Sequence, residues 1–312
     1  MGTTPAETPN PLASGCAWIE GEYVPIAEAR IPILDTGLTR SDLTYDVAGV
    51  WQGQFFRLDD HIDRLLSACR KIRLEPPLGR DQIREVMNEV VIRSGLRDAY
   101  VEIIVSRGVP GPGERDPRRW TPHVYAYAIP YVWIVRPELQ DRGTDVIIST
   151  KTYRIPPDSV DPTVKNFQWA DLVRGLFEAY DRGAWLALHT DREGFVTEGA
   201  GFNIFALIDN TLVTPDVGVL EGITRRTALE IADHLDVATR VGPVTADELR
   251  TASEIFLTST AGGIMPVATL DGAQVGSGQM GPVTSKIRET YWDWHSDPRF
   301  ASPIAYRLSA SP

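Results

Sequence analysis

The stretch VKNFQWADL places Lys165 after a valine and before an amide, an aromatic side chain, a second amide and a tryptophan. An amine becomes a nucleophile when it loses its proton, and apolar surroundings favour that neutral form. A neutral lysine can form a Schiff base with a carbonyl compound. Most lysines in such a setting simply extend into solvent, so this stretch alone leaves both interpretations open.

Glu198 lies in TEGAGFNIF, at the predicted end of a strand and close to two glycines. A carboxylate in this position can pair with the protonated ring nitrogen of a pyridine cofactor and keep that ring cationic. The same pattern is equally typical of a glutamate in an ordinary turn. Glu198 is therefore a candidate only if other residues of a cofactor site accompany it.

Two loops are candidates for holding a phosphate group. In LEGITRRTALEI, Gly222, Ile223 and Thr224 open a predicted helix, whose free backbone N–H groups and dipole attract anions. In TSTAGG (258–263), Ser259 and Thr260 offer hydroxyls and backbone amides after a strand. Each loop alone is more often a turn or a cap. GSGQMG (276–281) has the letters of a dinucleotide fingerprint, but without the strand–helix context we interpret it as a loop.

Periodic apolar residues predict the elements that position these side chains. The sequence predicts helices over 59–74, 81–94, 169–182, 224–235 and 283–295, with a capping box at 245–248. It predicts strands over 100–106, 123–130, 144–149, 185–190, 195–208 and 254–260. This pattern favours an α/β (α+β) fold. We expect a flexible N-terminal lead-in (1–15), a smaller α/β domain (16–138) and a larger domain (139–312) that holds the cofactor.

Composition narrows the classes of function. The 312 residues carry a net charge of −11, which argues against a nucleic-acid-binding protein because phosphate contacts need clustered basic residues. No apolar run reaches the roughly 18 residues of a membrane span, so we expect no membrane partner. Two cysteines make no disulfide framework, and we expect a cytoplasmic protein. No metal site is predicted.

The order lysine, T-E-G-x-G-F-N, G-I-T-R and T-A-G-G resembles the fold-type IV enzymes that depend on pyridoxal 5′-phosphate (PLP). That family includes branched-chain and D-amino-acid aminotransferases, aminodeoxychorismate lyases and (R)-selective amine transaminases. The resemblance runs from about residue 18 to 294 and implies two α/β domains with PLP between them. It implies that Lys165 forms the Schiff base, that Glu198 pairs with the ring nitrogen, and that the phosphate is bound by Arg64 of LDDHIDRL, Gly222, Ile223, Thr224, Ser259 and Thr260.

The stretches SDLTYDVAGVWQG, VKNFQWADL and GPGERDP are most similar to the (R)-selective amine transaminases. This similarity implies a substrate pocket lined by Tyr45, Val47, Tyr100, Glu102, Phe167, Trp169 and Ala261. It also implies that Arg115 swings in to meet the carboxylate of a 2-oxo acid. Arg40 departs from that subgroup, which tends to carry histidine there, and an added cation would favour carboxylated substrates.

The sequence therefore predicts a homodimeric transaminase with shared active sites that moves an amino group from an (R)-configured amine to pyruvate, giving a ketone and alanine. The alternative is a D-amino-acid or branched-chain amino-acid aminotransferase. A lyase of the aminodeoxychorismate type is a more distant alternative, and a non-enzymatic scaffold the most distant.

Overall fold

The computed structural model describes residues 14–306, and its strands form two sheets. The strands are β1 (Cys16–Ile19), β2 (Glu22–Pro25), β3 (Leu43–Trp51), β4 (Gln54–Phe56), β5 (Ala99–Val109), β6 (Thr121–Pro130), β7 (Thr144–Ile148), β8 (Leu186–Thr190), β9 (Val196–Gly199), β10 (Asn203–Ile208), β11 (Thr211–Thr214), β12 (Thr239–Val241), β13 (Glu254–Ser259), β14 (Gly263–Leu270), β15 (Ala273–Gln274) and β16 (Ala301–Pro303). The helices are α1 (Thr36–Arg40), α2 (Leu58–Lys71), α3 (Arg80–Ser94), α4 (Ala170–Asp181), α5 (Ile223–His234), α6 (Ala246–Arg250) and α7 (Pro282–Asp293).

The chain divides into two compact units. The first contains the residues up to Tyr131 and those from Ser302 onward, and the second is Val132–Ala301. The predicted lead-in over residues 1–15 lies outside the described residues except for its last two positions.

The first unit contains a seven-stranded sheet in the order β16-β4-β3-β5-β6-β1-β2. Alternate residues of β5, such as Val101 and Ile103, join a core with Ile62 and Leu65 of α2 and Met87 of α3. Side chains of opposite parity point to the other face, as the two-residue period of a strand requires. That second face carries the candidate pocket residues of this unit.

The second unit contains a nine-stranded sheet in the order β12-β11-β10-β13-β14-β7-β8-β9, with β15 paired to β14. The pairs β14–β7, β7–β8 and β11–β12 are parallel. Antiparallel ladders join β10 to β11 and to β13, and β13 to β14. One face forms an apolar core that includes Ile204, Leu257 and Met265.

Most of the predicted elements are present within a residue or two of their expected bounds, and the loop at 276–281 is confirmed. The capping box is also confirmed, since Thr245 Oγ1 accepts from the Glu248 N–H at 3.1 Å. The prediction of one strand over 195–208 is wrong. Gly201 has a φ of +84°, and the turn around it divides the stretch into β9 and β10.

Within residues 14–306, no helix has the length and apolar character that crossing a bilayer requires.

Candidate active site

Lys165 lies half-buried in the long loop between β7 and α4. Its neighbour Asn166 organises this part of the loop: the side-chain amide donates to Val164 O at 2.8 Å, and the side-chain oxygen accepts from Gln168 N at 2.8 Å. The indole of Trp169 donates to the backbone oxygen of Asn166 at 3.1 Å. The amide-rich composition around Lys165 therefore fixes the local backbone, in addition to any effect on the amine.

The Lys165 loop lies beside the turn that follows Glu198. A Cβ built on Gly201 would lie 3.6 Å from the ring of Trp169. Phe167 is 38% exposed, whereas Trp169 is partly buried. The second unit thus brings Trp169 to the turn, while Phe167 remains partly exposed.

Helix α4 anchors the start of the same loop through a buried glutamate. Glu178 accepts hydrogen bonds from Ser149 Oγ at 2.7 Å, Thr150 N at 3.0 Å and Lys151 N at 3.2 Å. Burial opposes ionisation of Glu178, but these hydrogen bonds outweigh it and lower the pKa to about 2. The carboxylate therefore ties residues 149–151 to the helix that follows Lys165.

Glu198 is buried at the end of β9 and is held on both oxygens. Oε1 accepts from the Arg154 guanidinium at 3.1 and 3.2 Å, and Oε2 accepts from the Leu220 N–H at 2.7 Å. Burial raises the pKa of Glu198, against the opposing effects of Arg154, the Leu220 amide and the charge of Lys165. A cation placed beside this carboxylate would favour the ionised form.

Asn203 connects Glu198 to the start of α5. Its side-chain amide donates to Leu220 O at 3.0 Å and contacts Glu198 Oε2 at 3.4 Å. A Cβ on Gly222 would lie 2.2 Å from Asn203 Oδ1, so a larger residue at this N-cap would displace the Asn203 side chain. Ile223 and Thr224 follow, both buried, in the first turn of the helix.

The loop after β13 lies next to Asn203, because β13 pairs with β10 in the second sheet. Thr258 is opposite Asn203 in the β10–β13 ladder, and its buried hydroxyl has no hydrogen-bond partner among the described residues. Ser259 and Thr260 follow, half-buried, and Ser259 Oγ accepts from Ala261 N at 3.1 Å. Ala261 is buried, and its backbone oxygen accepts from Ile134 N at 3.0 Å.

These residues fit a pyridine phosphate. Among its described residues, the second unit brings together an amine on a positioned loop, a buried carboxylate, a helix N-terminus capped by a closely packed glycine, and the unpaired buried hydroxyl of Thr258. When PLP is bound, it supplies an electron-withdrawing ring that accepts electrons from the substrate. Lys165, Glu198, the start of α5 and the loop after β13 are the residues that would hold it.

In the first unit, four of the predicted substrate residues share one face of the sheet. Val47 is opposite Glu102, and Glu102 is opposite Tyr127, across β3, β5 and β6. The Tyr100 hydroxyl donates to Glu102 Oε2 at 3.1 Å. Burial and the adjacent Glu102 raise the pKa of both Tyr100 and Tyr127, so both phenols stay protonated. Tyr45 lies on the same face.

Arg64 is held by an acidic residue of the neighbouring strand. Its Nε donates to Asp46 Oδ2 at 2.7 Å and its Nη2 to Asp46 Oδ1 at 2.8 Å. The ring nitrogen Nδ1 of His61 lies 2.7 Å from the same Asp46 Oδ1. Burial lowers the pKa of His61, so its ring is neutral at pH 7.

Arg40 and Arg115 are both exposed in the first unit. Arg40 ends α1 and lies over the ring of Trp120, with its guanidinium carbon 5.3 Å from the ring centroid. Thr36 at the start of α1 donates to Gly108 O at 3.0 Å, which ties this helix to the strand leading into the Arg115 loop. The unit thus presents two cations on connected segments.

Several residues of the site had no role in the sequence-based prediction: Asp46, Arg154, Asp171 and Asn203. Asn203 is the last residue of the motif T-E-G-x-G-F-N, and Asp46 lies between the predicted pocket residues Tyr45 and Val47. Arg154 had no local signal, because its partner Glu198 is 44 positions away.

The fold and the site define an enzyme of the PLP-dependent, amine-transferring type. A sequence model of the family described as amino-transferase class IV matches residues 43–270. This chain belongs to the class IV aminotransferases, whose cofactor is PLP, and the predicted α/β fold class is confirmed by the structural matches below.

The relatives include branched-chain-amino-acid aminotransferases. The one from Pseudomonas aeruginosa is 32% identical over 287 residues, which are 89% of this chain and 92% of that protein. The solved branched-chain aminotransferase from Thermobaculum terrenum, in its PLP form, matches with a TM-score of 0.83 and 26% identity over 93% of this chain and 98% of that one. The solved Escherichia coli enzyme matches with a TM-score of 0.88 and 25% identity over 94% of this chain and all of that one.

Proposed function

We propose that this class IV aminotransferase transfers an amino group from an (R)-configured primary amine without a carboxylate to pyruvate. The observation that carries the proposal is the acidic character of the substrate wall in the first unit. Glu102 is 5% exposed among tyrosines on this face. A substrate carboxylate about 4 Å from this side chain would meet a repulsion of roughly 4 kcal/mol at an effective dielectric constant near 20. An amine bearing an apolar group avoids that repulsion.

Lys165 is the base in this proposal. Its amine would hold PLP and, when not bonded to it, would accept the proton from the substrate carbon and return it. Glu198 keeps the ring nitrogen protonated, and the start of α5 with Thr260 binds the phosphate. Arg64 of the first unit is proposed as a further phosphate ligand. Tyr45 and Val47 of the first unit contact the amine substituents. Arg115 pairs with the carboxylate of pyruvate in the second half-reaction, when no amine substituent occupies that place.

The alternative donors are branched-chain or D-amino acids. The similarity to branched-chain-amino-acid aminotransferases favours the branched-chain group directly. Arg40 supports the same alternative, since a cation beside Trp120 adds a carboxylate partner to this unit.

A donor panel separates these functions. The purified protein is expected to convert (R)-1-phenylethylamine and pyruvate to acetophenone and alanine faster than it converts the (S)-amine. That rate should also exceed the rate at which it deaminates L-leucine or D-alanine with 2-oxoglutarate as the acceptor. Faster turnover of L-leucine with 2-oxoglutarate would overturn the amine assignment and establish the branched-chain alternative. Glu102→Gln tests the reason for the preference: it should raise kcat/KM for amino-acid donors relative to the (R)-amine. Lys165→Ala, which lacks the proposed Schiff-base amine, serves as the inactive control.

We also propose that the enzyme acts as a homodimer. The segment before and within α1 exposes apolar side chains, with Ile33 74%, Leu34 66% and Leu38 55% exposed. Exposed apolar patches of this kind commonly mark protein–protein contacts. Light scattering after gel filtration should give twice the chain mass of 34.5 kDa, and Leu34→Glu with Leu38→Glu should shift it towards one chain mass.

A further inference from the structure

Glu198 belongs to a buried chain of charged side chains that extends away from the cofactor residues. Arg154 donates to Glu198 through Nε and Nη2, at 3.2 and 3.1 Å. Its remaining terminal nitrogen, Nη1, donates to Asp171 Oδ2 at 2.7 Å. The side chains of all three residues are 8% exposed or less. One arginine therefore bridges two carboxylates in a region from which water is largely excluded.

Asp171 is fixed in place independently of the arginine. Its Oδ2 also accepts from the Ile155 N–H at 2.8 Å, and its Oδ1 accepts from the Leu172 N–H at 2.9 Å. Asp171 lies in the first turn of α4, where the helix dipole favours an anion. Asp171 is thus held in place by backbone hydrogen bonds that do not depend on Arg154.

In their ionised forms, the three bonded side chains Glu198, Arg154 and Asp171 carry charges that add to −1. Without Asp171, the pair of Arg154 and Glu198 would be neutral and would offer a cationic ring little net attraction. With Asp171, a ring nitrogen that carries a proton brings the buried group to zero charge, which is the favoured state for charges removed from water.

We propose that Asp171, acting through Arg154, is a positioning residue that gives the Glu198 site its negative charge and so keeps a proton on the cofactor ring nitrogen. This inference rests on the role of Glu198 in the proposed function, and not on the identity of the amine substrate. Asp171 itself does not touch the cofactor nitrogen; it sets the charge of the group that does.

The other titratable groups around Glu198 do not supply this charge. His189 on β8 contacts the Asp171 backbone oxygen at 3.2 Å, and burial lowers its pKa, so its ring is neutral at pH 7. Arg225 on α5 and Lys165 are both cationic neighbours, as the electrostatics of Glu198 and Arg225 show. Glu221 and Asp216 act on Arg225, whereas Asp171 is the carboxylate that Arg154 itself bonds besides Glu198.

The test compares PLP with 1-deazapyridoxal 5′-phosphate, in which a carbon replaces the ring nitrogen. Both compounds carry the same aldehyde and phosphate, so the ratio of their dissociation constants isolates the nitrogen site. Tryptophan fluorescence of the cofactor-free protein measures both constants without any catalytic turnover. The variants are Asp171→Asn, which keeps the shape and removes the charge, and Asp171→Glu, which restores the charge.

Asp171→Asn is expected to weaken PLP binding on the order of tenfold, which corresponds to about 1.4 kcal/mol for the loss of one buried charge. Binding of the deaza compound should change less than about twofold, and Asp171→Glu should recover most of the PLP affinity. Glu178→Gln is the matched control: another buried α4 carboxylate is neutralised, but it bonds residues 149–151 and not Arg154. Its ratio should equal that of the wild type.

Equal weakening of both compounds by Asp171→Asn would overturn the inference and reduce Asp171 to a structural residue, as would no change in either. If Asp171→Asn does not fold, Asp171→Ser makes the same charge change with a smaller side chain. A wild-type protein that binds both compounds equally would instead refute the role of Glu198 in the proposed function, and so the two failures are distinguishable.

Discussion

Replacing Asp46 with asparagine should destabilise the first unit and loosen Arg64. Asp46 is 1% exposed and accepts two bonds from Arg64, at 2.7 and 2.8 Å. It also lies 2.7 Å from His61 Nδ1. Asparagine keeps the size and one acceptor oxygen, but its amide group presents hydrogens to the guanidinium where the second carboxylate oxygen accepted a bond.

The size of the effect follows from the burial of the pair. Removing one partner of a buried ion pair costs about 3–5 kcal/mol, because the remaining charge stays out of water without compensation. The retained acceptor places Asp46→Asn near the lower end, at about 3 kcal/mol. For a chain of 312 residues, that loss corresponds to a fall of roughly 5 °C in the unfolding temperature.

The stability lost in Asp46→Asn should depend on pH and should be larger at neutral than at acidic pH. Burial opposes ionisation of Asp46, but the charge of Arg64 and the bond from His61 outweigh it, and the pKa lies well below the ordinary value of 3.8. A carboxyl group of this kind contributes stability above its unfolded pKa, and the contribution is lost as the pH falls below about 4. The difference between the wild type and Asp46→Asn should therefore be full at pH 7 and smaller at pH 3.

Urea unfolding of the cofactor-free protein at both pH values measures this difference, with Asp42→Asn as the matched control. Asp42 pairs with Arg107 at 2.7 Å but is 29% exposed, so its loss should cost less, about 1 kcal/mol. Because Arg64 is a proposed phosphate ligand, Asp46→Asn should also weaken PLP binding more than Asp42→Asn. A loss at pH 7 no larger than that of Asp42→Asn, or a loss that is the same at pH 3, would refute the reasoning.

Further outcomes are expected from single changes. Lys165→Ala should abolish the absorbance band at about 400–430 nm that PLP linked to a lysine gives, and a surviving band would exclude Lys165 as the Schiff-base residue. Phe256→Ala should lower the free energy of unfolding by about 3–5 kcal/mol, because Phe256 is buried and its ring stacks on that of Phe205, with the centroids 5.0 Å apart. Phe256→Leu is the control and should lower it by less. Thr245→Ala should cost about 1 kcal/mol through the lost cap on Glu248 N, and an unchanged denaturation midpoint would contradict it.

The elements that could be predicted from the sequence are those with local signals. The period of apolar residues indicated α2 and α3, the cap Gly222 indicated the start of α5, and the Thr–Glu spacing indicated α6. The turn at Gly201 was missed because a glycine within an apolar run occurs both in strands and in turns, and the sequence alone does not distinguish the two.

The charged partners of the candidate site could not be predicted in the same way. Arg154 bonds residues 17 and 44 positions further along the chain. Asp46 accepts a hydrogen bond from Arg64 and lies in β3, whose sequence is otherwise mostly apolar. Such pairs depend on tertiary structure, since nothing in a single stretch states which buried cation meets which buried anion. The roles assigned to the pocket residues, the domain bounds and the cytoplasmic location stay predictions.

The first unit is completed by the end of the chain, and this has a consequence for synthesis. The strand β16 forms the edge of the seven-stranded sheet beside β4, Ile304 N donates to Gly53 O at 3.1 Å, and the Tyr306 hydroxyl donates to Leu96 O at 2.7 Å. On the ribosome, β4 is therefore made long before its neighbour and waits as an unpaired edge, able to pair with other nascent chains. A stop codon just before Ser302 would make that exposed edge permanent, and its first sign should be inclusion bodies rather than a slower enzyme.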